Sequence, residues 1–141
     1  MQNILLVDDN KYVLEALALS LGDITRGYAI LTAKSGLEAL HILVQMPVAL
    51  VLTDLEMPVM NGYQLIEHKN QLHPSTPLLA MTSNFSPAVA SRLRSLGVKH
   101  CFEKPFEYEE VTRLIMEYLA PSCTFPVPGM EIASHYTSMT M

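Results

Sequence analysis

Cysteine is scarce in this chain of 141 residues: only Cys101 and Cys123 occur, too few and too far apart for a disulfide framework or a CxxC zinc pattern. A reducing setting is expected. Basic charge is also short. Nine Lys and Arg face fourteen Asp and Glu, giving a formal charge of −5 and a pI near 5.4. Nucleic-acid phosphates therefore meet no net attraction, and no local basic patch replaces it. Long apolar runs are missing too: the first, Ile4 to Val7, ends at Asp8-Asp9 and has no basic flank, so it is neither a signal-peptide core nor a membrane span. A cytoplasmic location is the expectation. There is no internal repeat, no low-complexity tract and no Gly-rich phosphate loop. The histidines, His41, His68, His73, His100 and His135, share no ligand spacing and read as surface or packing residues.

What is present is a core. Half the residues are apolar, and a chain of this length buries about 68% of its extended surface as one domain. Five short apolar runs, Ile4 to Val7, Tyr28 to Thr32, Ala49 to Thr53, Leu78 to Thr82 and His100 to Glu103, alternate with five segments of helical period. Alternation of this kind marks a parallel sheet wrapped by helices. The first, third and fourth runs lack polar alternation, so they are expected to be central strands covered on both faces. The third helix, roughly Tyr63 to Leu72, is the least periodic and is bounded by Asn61-Gly62 and His73-Pro74. Ser35 with Glu38 reads as a capping box, and Ser86 before Pro87 as a cap. The expected fold is a three-layer α/β/α domain over residues 1–120, its five strands all parallel with no antiparallel pair. Residues 121–141, broken by Pro121, Pro126, Pro128 and Gly129, are expected to form a tail rather than a second domain.

In open α/β sheets ligands bind beyond the carboxyl ends of the strands. Strand one exits into Asp8-Asp9, strand three into Asp54, strand four ends at Thr82 and strand five runs into Lys104-Pro105. If strand two is an edge, in the order 2-1-3-4-5, these four ends are neighbours. Carboxylates so close repel by roughly 4 kcal/mol per pair at 4 Å with an effective dielectric of 20, so a cation must offset them. Oxygen ligands suit Mg²⁺, and Lys104 adds positive charge. An aspartate in that setting is a nucleophile towards phosphoryl groups. Asp54, alone at its strand end, is the candidate.

Asp8-Asp9, Asp54 followed by Met57-Pro58 and Gly62, Thr82-Ser83 and Lys104-Pro105-Phe106 together resemble the receiver domain of bacterial two-component response regulators, over residues 1 to about 120. The order 2-1-3-4-5, shared with flavodoxin-like folds, is that of the family's chemotaxis members, so it belongs partly to the resemblance. The resemblance implies that Asp54 accepts phosphate from a sensor histidine kinase or phosphotransfer protein, the domain catalysing its own phosphorylation and dephosphorylation. Asp9 and Asp54 would bind Mg²⁺ directly, Asp8 through water, and Glu56 through its backbone carbonyl. Thr82 would bond the phosphoryl group, Lys104 would pair with it, and Glu56 and Asn84 would flank the path of hydrolytic water.

Two departures bear on output. The family usually has Tyr or Phe three residues before the strand-five lysine as a switch partner of Thr82; here Cys101 stands there, with Phe102 beside it. The Asp that usually precedes that aromatic in regulators dimerising in the winged-helix transcription-factor manner is His100. The signal is therefore expected to travel through Asn84 to Leu96, onto a protein target or a second copy at the face formed by helix four, strand five and helix five. The tail either covers or extends that face or is a loose end. No nucleic-acid or membrane contact is expected. A haloacid-dehalogenase-like phosphatase also uses an aspartyl phosphate, but it wants Asp where Glu56 stands. The alternative function is a constitutive interaction module that keeps the fold without phosphate switching.

Overall fold

The computed structural model describes residues 2–22 and 27–119, and the backbone of 136–138. Five strands, β1 (Gln2–Val7), β2 (Tyr28–Ala33), β3 (Leu50–Asp54), β4 (Leu78–Thr82) and β5 (His100–Glu103), alternate with five helices: α1 (Lys11–Gly22), α2 (Gly36–Gln45), α3 (Gly62–Leu72), α4 (Pro87–Ser95) and α5 (Tyr108–Leu119). The five strands are parallel in the order 2-1-3-4-5, the expected flavodoxin-like arrangement.

Period-two alternation divides the apolar residues between two helical layers. Leu5, Val7, Val51, Leu78, Ala80 and Cys101 pack under α2, α3 and α4. Ile4, Leu6, Leu50, Leu52, Leu79, Met81 and Phe102 pack under α1 and α5. Both faces of each central strand are thus dry, which is why these runs carry no polar alternation.

The expectation that no antiparallel pair occurs fails at one edge. A short β6 (Tyr136–Ser138) lies antiparallel to β5, pairing His100 with Ser138, Cys101 with Thr137 and Phe102 with Tyr136. Three residues of mixed character carry too little periodicity to announce a strand. The tail's end thus adds to the sheet edge, while the prolines expected to break it lie outside the described residues.

Local signals account for the helix limits. Ser86 Oγ accepts from Val89 N–H before Pro87 in the first turn of α4. That helix ends in a Schellman turn: Val98 N–H reaches Leu93 O and Gly97 takes φ +85°, a conformation that favours glycine. At α2 the box is not reciprocal. Ser35 Oγ accepts from Glu38 N–H, but the Glu38 carboxylate accepts from Lys34 N–H. The complete box is at α3, between Asn61 and Gln64.

Candidate functional site

The carboxyl ends of β1, β3, β4 and β5 meet as neighbours in the sheet. Asp8, fully buried at the end of β1, accepts from Asn10 N–H at 2.9 Å and from Lys104 Nζ at 2.8 Å. Asn10 in turn accepts from Tyr12 N–H at the start of α1. The capping duty falls on Asn10, and Asp9 is left exposed at the mouth of the site.

Asp54 closes β3 and is only 4% exposed. Its Oδ2 lies 3.4 Å from Lys104 Nζ, and its Oδ1 accepts a long bond from Glu56 N–H at 3.4 Å. Carboxylate oxygens of Asp8, Asp9 and Asp54 all fall within 4.8 Å of one another. Burial lifts the Asp54 carboxyl to about 6; the Lys104 ammonium opposes the rise, and the Asp8 and Glu56 charges add to it. Lys104 shows the counterpart. Burial pulls its pKa down, but its hydrogen bond to Asp8 and the Asp54 charge outweigh burial and hold it above the ordinary lysine value. Two buried carboxylates and the exposed Asp9, with one neutralising lysine, leave net negative charge at a partly dehydrated site, the condition a divalent cation relieves.

The loop after Asp54 is held down by close backbone approach. Gly62 N–H bonds Leu55 O at 3.0 Å, and a Cβ at Gly62 would sit 2.4 Å from Asp54 O, so only glycine fits. Val59, 89% exposed, has φ 69°, a left-handed conformation that costs a β-branched residue on the order of 1–3 kcal/mol.

Thr82 ends β4 with its side chain buried. Its hydroxyl donates to the Glu56 carboxylate at 2.7 Å and accepts from Asn84 N–H at 3.0 Å. Glu56 also accepts from Ser83 N–H at 2.9 Å. This contact between the β3 and β4 loops was not legible in the sequence, where Glu56 offered only its carbonyl and a place beside a water path. Asn84 is exposed. Register sorts the two switch candidates on β5. Cys101 pairs with Ala80 and shares the face of Thr82, whereas Phe102 pairs with Met81 and packs in the opposite layer near Phe106. Burial drives the Cys101 thiol up to about 12, so it is an inert packing group.

A family profile for the response regulator receiver domain matches residues 4–116. The chain belongs to this family. It is 32% identical over 115 residues to the sensor histidine kinase RcsC of Escherichia coli K12, a match covering 82% of this chain and 12% of that protein. It is 33% identical over 120 residues to the transcriptional regulatory protein GlrR of the same strain, covering 85% of this chain and 27% of that protein. The chain thus spans between about an eighth and a quarter of these relatives' lengths. Among solved structures, the chemotaxis protein CheY4 of Vibrio cholerae is 28% identical with a TM-score of 0.75, covering 84% of this chain and 98% of that one. A CheY-like receiver domain from Methanospirillum hungatei JF-1 is 25% identical with a TM-score of 0.77, covering 84% of this chain and 94% of that one. This receiver domain therefore carries the acidic pocket of Asp8, Asp9 and Asp54 with Lys104 of a two-component signalling module. Among the described residues, no helix is long and apolar enough to cross a membrane.

Proposed function

We propose that the receiver domain, residues 1–120 with 121–141 as its tail, accepts a phosphoryl group on Asp54 and thereby changes its affinity for a protein partner. The observation that carries this reading is the position of Asp54: buried, at a strand end, with Lys104 Nζ 3.4 Å away and two further carboxylates beside it. An Asp54 oxygen attacks the phosphorus of a phosphohistidine on a sensor kinase or phosphotransfer protein. The new P–O bond forms as the P–N bond breaks, and the released imidazole nitrogen takes a proton from water. Lys104 holds its positive charge against the group in transfer, and Thr82 turns its hydroxyl to a phosphoryl oxygen. The carboxylates of Asp8, Asp9 and Asp54 and the carbonyl of Glu56 would hold Mg²⁺, which supplies neutralisation of the phosphoryl oxygens. Water later hydrolyses the acyl phosphate, and Glu56 and Asn84 set how readily it attacks.

The names of the relatives suit a kinase as phosphate donor, since RcsC is a sensor histidine kinase. Output then runs through α4 to the face made by α4, β5 and α5, where a protein target or a second copy binds. Cys101 cannot swing as an aromatic would and Phe102 faces the other layer, so α4 itself carries the change.

Intact mass after incubation with acetyl phosphate and Mg²⁺ tests the reading. One phosphoryl group is expected on the wild type and none on Asp54→Asn, with labelling slowed severely by Asp9→Asn. An unlabelled wild type would make the domain a constitutive interaction module, and full labelling of Asp54→Asn would move the phosphorylation site elsewhere.

A further inference from the structure

The phosphoryl-binding donors of this domain are already occupied by one of its own side chains. Thr82 Oγ1 and Ser83 N–H, both at the end of β4, converge on the two oxygens of Glu56 at 2.7 and 2.9 Å. Glu56 is two residues beyond Asp54, and its own N–H is the one that reaches Asp54 Oδ1. A carboxylate gripped at both oxygens by a hydroxyl and an amide presents those donors with the anionic pair that a phosphoryl group would present.

We propose that Glu56 is a latch: its carboxylate stands in for the phosphoryl oxygens at Thr82 and Ser83, holds the β4–α4 loop in its resting position, and must be expelled for the phosphorylated state to form. The inference rests on Asp54 being the phosphoacceptor and specifies how its switch is biased. Expulsion has a driving force in like charge, because a phosphoryl dianion on Asp54 arrives beside Glu56 on a short stretch of the same loop. Release also has a ready destination. Glu56 is solvent-exposed, so water replaces its two hydrogen bonds, while Thr82 is buried and needs the phosphoryl oxygen as its new acceptor. The latch therefore lowers the population of the binding-competent loop without blocking it, and apparent affinity for a phosphoryl group falls by that population. The same contact links the switch to α4. Asn84 N–H bonds Thr82 Oγ1, and Ser86 caps α4 two residues later, so moving Thr82 moves the start of the helix.

The experiment is a beryllofluoride titration of the full chain with saturating Mg²⁺, followed by ¹⁹F NMR. Glu56→Ala is expected to bind about tenfold more tightly than wild type, with Glu56→Gln between the two. Removing a negative charge near an anion would also tighten binding without any latch, so the titration is repeated in Thr82→Val. The gain from Glu56→Ala is expected to shrink there by at least half, whereas simple charge repulsion would leave it unchanged. Without Mg²⁺ or beryllofluoride, the Ser83 amide proton of the wild type is expected far downfield, moving upfield in Glu56→Ala. Equal or weaker beryllofluoride binding by Glu56→Ala, or an undiminished gain in Thr82→Val, overturns the latch while leaving Asp54 as phosphoacceptor. A wild type that binds no beryllofluoride overturns both.

Discussion

Asp54 is a carboxylate that the fold keeps from water although water would stabilise its charge. Its carboxyl is lifted to about 6 chiefly by burial, against an ordinary value near 3.9 in an unfolded chain. Because the folded pKa is the higher one, the folded state binds the proton more readily. Stability therefore falls as pH rises from about 4 to about 6, and above 6 the ionised group carries a constant cost of up to about 3 kcal/mol. That cost is already net of the Lys104 attraction, so Asp54→Asn, which removes the charge, is expected to make the metal-free protein more stable by up to about 3 kcal/mol at pH 7. Urea denaturation in the presence of a chelator checks this, with the gain expected to fade as pH drops from 6 to 4. A variant less stable than wild type at pH 7 would mean that the Lys104–Asp54 attraction outweighs the burial of the charge.

At the scale of elements, α4 and α5 border the same edge of the sheet but are held differently. Over α5, Val111, Thr112, Leu114 and Ile115 are buried, whereas α4 buries only Ala90 and Leu93. Its attachment relies on polar and edge contacts: Arg92 stacks 3.7 Å above the Tyr63 ring, and Asn70 donates to Leu96 O at 2.9 Å. A helix with few buried apolar contacts opens locally at low cost, which suits the part that must move. Its cap therefore matters more than usual. Ser86→Ala is expected to cost about 1 kcal/mol, read in hydrogen exchange as faster exchange across 87–95 with α5 unchanged. Equal acceleration in both helices would mean that α4 does not open separately.

For the whole molecule, the notable feature is that the free edge of β5 is paired. Exposed strand edges invite pairing with other chains, and here β6 occupies that edge at His100, Cys101 and Phe102. This edge is the centre of the face proposed for output, so any partner using β5 must work around β6 or displace it. In the full chain, Thr137→Pro introduces a residue that cannot donate to the ladder. Lys104 N–H bonds Thr82 O, so alternate β5 amides face β4 and Cys101 N–H faces β6. Faster exchange of the Cys101 amide is expected, with the chemical-shift pattern of β1 to β4 preserved. Unaltered protection of β5 would show that β6 does not cover that edge in solution.

The limits of β4 and β5 were legible residue for residue from the apolar runs, and β1, β2 and β3 to within a residue or two. The central runs were readable because they must satisfy helices on both faces, a demand that confines polar residues to the strand ends, as Asn3 in β1 and Thr53 in β3. Asp8, Asp9, Asp54, Thr82 and Lys104 were legible for a related reason: each sits where a strand ends, and parallel strands bring all their carboxyl ends to one side. Tertiary structure alone decided the rest. Period-two alternation cannot say which layer Cys101 or Phe102 enters until β5 is registered against β4. Glu56 could offer its carbonyl or its carboxylate, and only the approach of the β4–α4 loop presents Thr82 and Ser83 to the carboxylate. The pairing of β6 with β5 joins segments more than thirty residues apart through backbone groups that every residue carries, so no side-chain pattern could encode it.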